Sequence, residues 1–440
     1  MISKLQLSEE QLNALHFFQN FVKNPDTNVA VIKGKAGTGK TTIIQFIIEW
    51  LEDSGIDYTL IAPTNKASNI LREKTQRETK TIHSFLKMSP NLSITKLDMK
   101  DLEFQSNFDD WLGKDHIIIC DEGSMVNDAL YDFMEDICKE QDCKILYILD
   151  EAQLAPVKNR DKSKTTLCPT FYYLSHVFRQ SDESSLKDIL LELRTKDIIH
   201  YSESKNLKLF SNRKEFAISY IDFIKEDVYN KEVSKTKLLC FTNKQVQDYN
   251  KFCHLCLFKD KSEFLLGEQI IFKETVKNKD ILNGETGVVI ENNPIEIEIP
   301  FVGVFDGYLL SIKKEDDTIV NVEILSNSLK REEYFHIADI LEQFRLKAIY
   351  SGISTDWANY YKIYNSFFIR ENIIADNRVI KSVGIDYGYA VTTHYSQGST
   401  YDNVFIDMKD INICANKEAR RQLKYVALSR PKNNAYILNG

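Results

Sequence analysis

Gly34-Lys35-Ala36-Gly37-Thr38-Gly39-Lys40-Thr41 decides how this chain is read, because of what stands on either side of it. Val29-Ala30-Val31-Ile32 before it predicts a short buried strand. Ile43, Ile44, Ile47, Ile48 and Leu51 after it are spaced for one face of a helix. A glycine-rich turn between strand and helix lets backbone N–H groups close around phosphates. Gly34, Ala36, Gly37, Thr38 and Gly39 supply that cradle, with Thr42 beyond it. Lys40 adds positive charge and Thr41 a hydroxyl suited to Mg2+. The pattern predicts a bound nucleoside triphosphate, with Mg2+ as its cation.

The rest of the composition sets bounds. A chain of 440 residues divides into about two to four domains. Its 43% hydrophobic and 27% charged residues are those of an ordinary globular protein. No apolar run is long enough to span a bilayer, and Met1–Leu7 lacks a signal peptide's apolar core, so a cytoplasmic protein without a membrane partner is expected. The 8 cysteines do not suggest a disulfide framework, and Cys253-His254-Leu255-Cys256 has no second pair to complete a zinc site. A net charge of −8 argues against a globally basic nucleic-acid binder but leaves room for a local basic channel.

Strand-like runs at Val29–Ile32, Tyr58–Ala62, Ile117–Cys120 and Ile145–Leu149 alternate with helical patterns, which predicts a parallel sheet between helices. Each ends in polar residues, and ligands of such sheets bind beyond the carboxyl ends of strands. A second α/β region begins at Leu238 and ends with Val404–Ile406 and Tyr436–Leu438. Between them, short strands from Leu266 to about Ser326, with turns at Asn283-Gly284 and Asn292-Asn293-Pro294, predict a small β-barrel or meander. Tyr334–Glu371 is again helical.

Several polar residues fit a triphosphate site. Asp121 and Glu122 close an apolar strand, the first placed to hold Mg2+ and the second to polarise an attacking water. Gln153 follows the next strand, where an amide can touch a γ-phosphate and relax after its loss. Arg179 and Arg430 lie far away in sequence. A cation reaching the phosphates from a second domain would make hydrolysis depend on domain closure.

The order of these motifs resembles superfamily 1B helicases, the RecD-like group, and most nearly the small Dda-type phage helicases. Leu7–Gln11 resembles the adenine-reading segment, with Gln11 as reader, and Gly34–Thr41 motif I. Ala62–Ala67 is similar to motif Ia, Thr81–Ser84 to motif Ib, Asp121–Met125 to motif II and Asp150–Val157 to motif III. Phe178-Arg179-Gln180 resembles motif IV, Phe241-Thr242-Asn243 a strand–helix of the second motor domain, Ala390–Gly398 motif V and Tyr425–Arg430 motif VI. There are departures. Leu149-Asp150 replaces a usual Gly-Asp, Gly123 stands where a small apolar residue is usual, and Tyr395 where a lysine or arginine often sits.

The resemblance implies two RecA-like P-loop NTPase domains: 1A at 1–85 and 116–165, and 2A at 166–260 and 380–440. It implies a 1B pin inserted at 86–115 and a 2B insert at 261–379, an SH3-like β-barrel with a helical part. Lys40, Asp121, Glu122, Gln153, Arg179 and Arg430 would be catalytic, with Arg430 as arginine finger and Thr41 and Asp121 at the metal. Gln397 and Gly398 would join the nucleotide site. Pro63, Thr64, Asn65, His83, Asn243, Thr393 and His394 would meet single-stranded DNA, with Pro90 and Phe104 wedged against a base.

The expected activity is an ATP-dependent DNA helicase moving 5′ to 3′ on single-stranded DNA and opening duplex junctions, active as a monomer and compatible with a single-stranded-DNA-binding protein as partner. An ATP-gated translocase or remodelling factor that displaces proteins without unwinding is the alternative. A P-loop kinase leaves Arg179, Arg430 and the duplicated α/β organisation unexplained.

Overall fold

The computed structural model describes residues 7–90, 104–105, 111–154, 163–176, 185–197, 200–259, 264–370, 372–375, 378–381 and 383–439. The first sheet has six strands, all parallel, in the spatial order Thr79–Thr81, Tyr58–Ala62, Ile117–Cys120, Lys144–Leu149, Val29–Gly34 and Phe171–Leu174. Alternate residues of one strand enter different cores. Ile117 and Ile119 pack with the Glu9–Lys23 and Lys40–Ser54 helices, while Ile118 and Cys120 pack with the Asp128–Glu140 helix. Burial on both faces explains why these strands read as unbroken apolar runs.

The second sheet is also parallel, in the order Ala390–Thr392, Thr236–Cys240, Tyr401–Asp407, Pro431–Leu438 and Leu207–Phe210. The two parallel sheets realise the expected duplicated α/β plan. The division near 165 differs, because Phe171–Leu174 pairs with Val29–Gly34 and keeps the chain in the first sheet.

The third sheet is an antiparallel meander in the order Ile319–Leu325, Gly303–Lys314, Thr286–Ile299, Gln269–Phe272 and Ile385–Tyr387. Its last strand lies beyond the boundary expected at 379. The turn expected at Asn292-Asn293-Pro294 is absent: Thr286–Ile299 is one 14-residue strand, irregular between Val289 and Glu291. Of the Thr286–Ile299 strand only Thr286–Val288 pairs with Gln269–Ile271, so among the described residues Pro294 lies where one strand edge has no partner, and proline is tolerated there. The Asn283-Gly284 turn does form, with Gly284 at φ 101°. The far end of this sheet packs Ile297, Ile299 and Phe305 against the Arg331–Ser351 and Ser354–Tyr364 helices.

Candidate nucleotide cleft and nucleic-acid groove

Gly37 and Gly39 have φ of 82° and 78°, a left-handed conformation that costs glycine little, and Gly39 caps the Lys40–Ser54 helix. The first N–H groups of that helix have no partners within it and form an anion site. Gly34 is needed for packing: a Cβ there would lie 2.7 Å from Thr38 Oγ1. Thr38 is buried and donates its hydroxyl to the Lys35 carbonyl at 2.9 Å, so it shapes the loop from behind. The Lys40 ammonium spans the loop mouth, 2.9 Å from both the Gly34 and Lys35 carbonyl oxygens.

Gln11 reaches this loop from the first helix. Ser8 and Gln11 form a reciprocal N-terminal cap, in which Gln11 Oε1 accepts from the Ser8 N–H at 3.2 Å. That fixes the side chain and leaves Nε2 against Gly39.

Asp121 and Glu122 leave the Ile117–Cys120 strand beside Lys40. Asp121 Oδ1 accepts the Glu122 N–H at 2.9 Å, and Glu122 sits at φ 51° before a 3-10 turn. Gly123 packs closely, since a Cβ there would stand 3.1 Å from Tyr147 Cβ and the neighbour would have to give by a few tenths of an ångström. Burial raises both carboxyls above their ordinary range, and for Glu122 the Asp121 and Asp150 charges add to it while Lys40 and Arg430 oppose it. Glu122 Oε2 and Gln153 Oε1 are buried without hydrogen-bond partners among the described residues. An orphaned acceptor of this kind suits a water or phosphate contact.

Arg430 follows the Lys417–Leu428 helix and is 4% exposed. Its guanidinium donates to the carbonyls of Val426 at 3.0 Å and Ser399 at 3.0 Å, and to Ser429 Oγ at 2.8 Å. These bonds to its own segment hold the guanidinium where its charge acts on Glu122.

One cleft of about 670 Å³ gathers these groups: Gln11, Ala36, Gly37, Gly39, Lys40, Thr41, Thr42, Asp121, Glu122, Gln153, Gly398 and Arg430 all line it. Thr41 and Asp121 supply a hydroxyl and a carboxylate, the hard oxygen donors that suit Mg2+. Gln45, Ala67, Ile70, Lys74 and Thr400 also line the cleft and were not expected. Ala67, Ile70 and Lys74 share one face of the Asn65–Thr75 helix, a spacing that identifies them once that face is known. Arg179 lies outside the described residues.

A second space of about 390 Å³ is lined by Pro63, Thr64, Asn65, Lys66, Thr81, His83, Met125, Asn283, Gly284, His394, Tyr395 and Gln397. It collects five of the expected DNA residues, and Gln397, expected at the nucleotide, lines it beside Gly398 of the cleft. Thr393 is a correction: it is fully buried and gives its hydroxyl to the Cys240 carbonyl at 3.0 Å. Asn243 is exposed at the start of the Asn243–Phe258 helix, apart from this lining. Pro90 and Phe104 stand directly opposite one another in a two-stranded antiparallel ribbon.

Burial holds the His83 and His394 imidazoles below their usual range, so both face the groove neutral at pH 7. Positive charge comes instead to the ring at the departing position, with Lys66 5.2 Å and Lys273 5.7 Å from the Tyr395 centroid. The connection between the Gln269–Phe272 and Thr286–Ile299 strands is tied to the Asn65–Thr75 helix: Asn65 donates to Thr275 Oγ1 at 3.3 Å, and Asn69 to Glu285 Oε1 at 3.3 Å.

Comparison with known proteins follows the same plan. A family model described as an AAA domain matches residues 6–212, and one for a UvrD-like helicase C-terminal domain matches 387–438. The ATP-dependent DNA helicase dda of Enterobacteria phage T4 is 35% identical over 158 residues, 34% of this chain and 33% of that protein. The ATP-dependent RecD2 DNA helicase of Deinococcus radiodurans is 30% identical over 151 residues, 34% of this chain and 18% of that protein. The chain thus matches a third or less of the length of these two relatives. A crystal structure of Pif1 helicase from Bacteroides, in complex with ADP-AlF3 and ssDNA, superposes with a TM-score of 0.53 at 16% identity. It covers 99% of this chain and 92% of that one, a likeness of fold. No helix among the described residues is long and apolar enough to cross a membrane. The two-sheet architecture and the matched segments at both ends agree with the motif order, and they make the chain similar to superfamily 1B helicases of the Dda- and RecD-like type.

Proposed function

We propose that this chain is an ATP-dependent DNA helicase that moves 5′ to 3′ along single-stranded DNA and separates the duplex ahead. One observation carries the reading: adjacent residues face the two sites. Gln397 lines the groove and Gly398 the cleft; Asn65 and Lys66 line the groove, and Ala67 the cleft. A change at the phosphates therefore shifts backbone that also borders the groove.

In this reading Lys40 and the helix N-terminus hold the phosphates, Glu122 polarises water, and Gln153 detects the γ-phosphate. Arg430 stabilises charge that develops in the transition state. Thr41 and Asp121 would hold Mg2+, which when bound neutralises phosphate charge. Thr64, Asn65, His83 and His394 would contact the strand through short polar side chains, which hold phosphate oxygens without reading sequence. The Pro90–Phe104 ribbon would be the strand-separating pin, in an insert within the first motor domain.

The test is steady-state ATP hydrolysis with and without single-stranded DNA, followed by unwinding of duplexes carrying a 5′ or a 3′ single-stranded tail. Hydrolysis should accelerate with DNA, and the 5′-tailed duplex should open faster. Faster opening from the 3′ tail overturns the direction, and hydrolysis indifferent to DNA overturns the motor. Phe104→Ala is expected to slow strand separation severalfold more than it slows hydrolysis; equal losses in both would remove the pin assignment.

A further inference from the structure

A buried polar junction lies where the P-loop, the end of the Lys144–Leu149 strand and the Lys417–Leu428 helix meet. At its centre is the Tyr425 hydroxyl. It donates to Asp150 Oδ2 at 2.6 Å and accepts from the Ala36 N–H at 3.2 Å and from Arg194 Nη1 at 3.3 Å. A phenol has one proton to donate and two lone pairs, so every valence is used. Burial and the Asp150 carboxylate push the phenol up, so it keeps its proton and remains the donor.

Arg194 completes the junction, with Nη1 3.0 Å from Asp150 Oδ1 and Nη2 3.0 Å from the Tyr173 hydroxyl. Asp150 Oδ1 also accepts the Ala152 N–H at 3.1 Å, which shapes the turn that carries Gln153 into the cleft. Beyond Tyr425 the same helix leads directly to Arg430.

Ala36 is the telling partner. It lines the nucleotide cleft, and its amide is a single donor. A phosphate oxygen is charged and is the stronger acceptor.

We propose that Tyr425 is a positioning residue that registers P-loop loading: its hydroxyl and an incoming phosphate oxygen compete for the Ala36 N–H. Nucleotide binding then loosens the tie between the P-loop and the Lys417–Leu428 helix that precedes Arg430. The change reaches Gln153 through Asp150. This rests on the nucleotide reading of the cleft and adds to it a device that links filling of the cleft to the placement of Gln153 and Arg430, the two side chains read as meeting the γ-phosphate.

The experiment is binding of fluorescent ADP by the full chain, with single-stranded-DNA-stimulated hydrolysis as a second readout. Tyr425→Phe removes the competing oxygen and keeps the buried ring. ADP should bind about two- to tenfold more tightly, the range of one net hydrogen bond, while DNA stimulation of hydrolysis falls. Arg194→Gln loosens the same junction but leaves the Ala36 contact, and should not gain affinity. Unchanged or weaker binding in Tyr425→Phe overturns the proposal. An equal gain in both variants also overturns it, because that signals general loosening. Should Tyr425→Phe fail to fold, amide exchange at Ala36 in the unmodified protein decides: protection without nucleotide supports the proposal and fast exchange overturns it. Failure of the unmodified protein to bind ADP would overturn the nucleotide reading itself, a result distinct from parent-level affinity in the variant.

Discussion

Lys40→Ala lowers ATP hydrolysis by about 10²- to 10³-fold or more, the loss expected when one preorganised charge partner of a transition state is removed. The ammonium sits 2.9 Å from two P-loop carbonyls at the floor of the cleft, beside Asp121 and Glu122. Its charge opposes the burial that raises both carboxyls, so its removal also raises them further. The fold should survive. Lys40 opens the Lys40–Ser54 helix, where alanine is a strong helix former, and the packing beneath is supplied by Ile43, Ile44, Ile47 and Ile48. Circular dichroism should therefore match the parent while phosphate release nearly stops. Hydrolysis within a few fold of the parent would remove Lys40 from the phosphate site, and with it the reason for reading the cleft as catalytic.

What could be read from the sequence follows how local each signal is. The P-loop strand and helix are specified within about twenty residues by apolar spacing and glycine, and Ile117–Cys120 by an unbroken apolar run. Thr79–Thr81 had no such signal: it is an edge strand of three polar residues, held by pairing with Tyr58–Ala62. Phe171–Leu174 reads as a strand only through its partner Val29–Gly34, and that pairing moved the first sheet past 165.

The candidate site divides the same way. Gln11, Lys40, Thr41, Asp121, Glu122 and Gln153, on motifs with fixed backbone geometry, line one cleft. In the Thr392-Thr393-His394 run nothing in the sequence says which side chain turns inward, and the Cys240 carbonyl captured Thr393. The Ala36–Tyr425 contact joins residues 389 positions apart and is set by packing of the two sheets, so no spacing announces it.

Glu122→Gln is the sharper test, because it should separate binding from chemistry. The amide has nearly the carboxylate's shape but cannot take a proton from water. Hydrolysis should fall by about 10²- to 10⁴-fold, while ATP affinity holds or improves as a negative charge leaves the phosphate pocket. Stability supplies a second readout with a definite sign. Burial, Asp121 and Asp150 raise the Glu122 carboxyl against the pull of Lys40 and Arg430. Its ionised form therefore costs folding free energy above the folded pKa. The cost is absent below the ordinary unfolded value of about 4.3, where both states are protonated. Glu122→Gln should melt higher than the parent at neutral pH, and that advantage should shrink as the pH falls through the raised value. The same titration predicts that parent hydrolysis declines with acid at a pH above the ordinary glutamate range. A Glu122→Gln protein that hydrolyses ATP at the parent rate would move the catalytic base elsewhere. A melting temperature unchanged at pH 7 would mean that burial beside Asp121 and Asp150 does not destabilise the carboxylate.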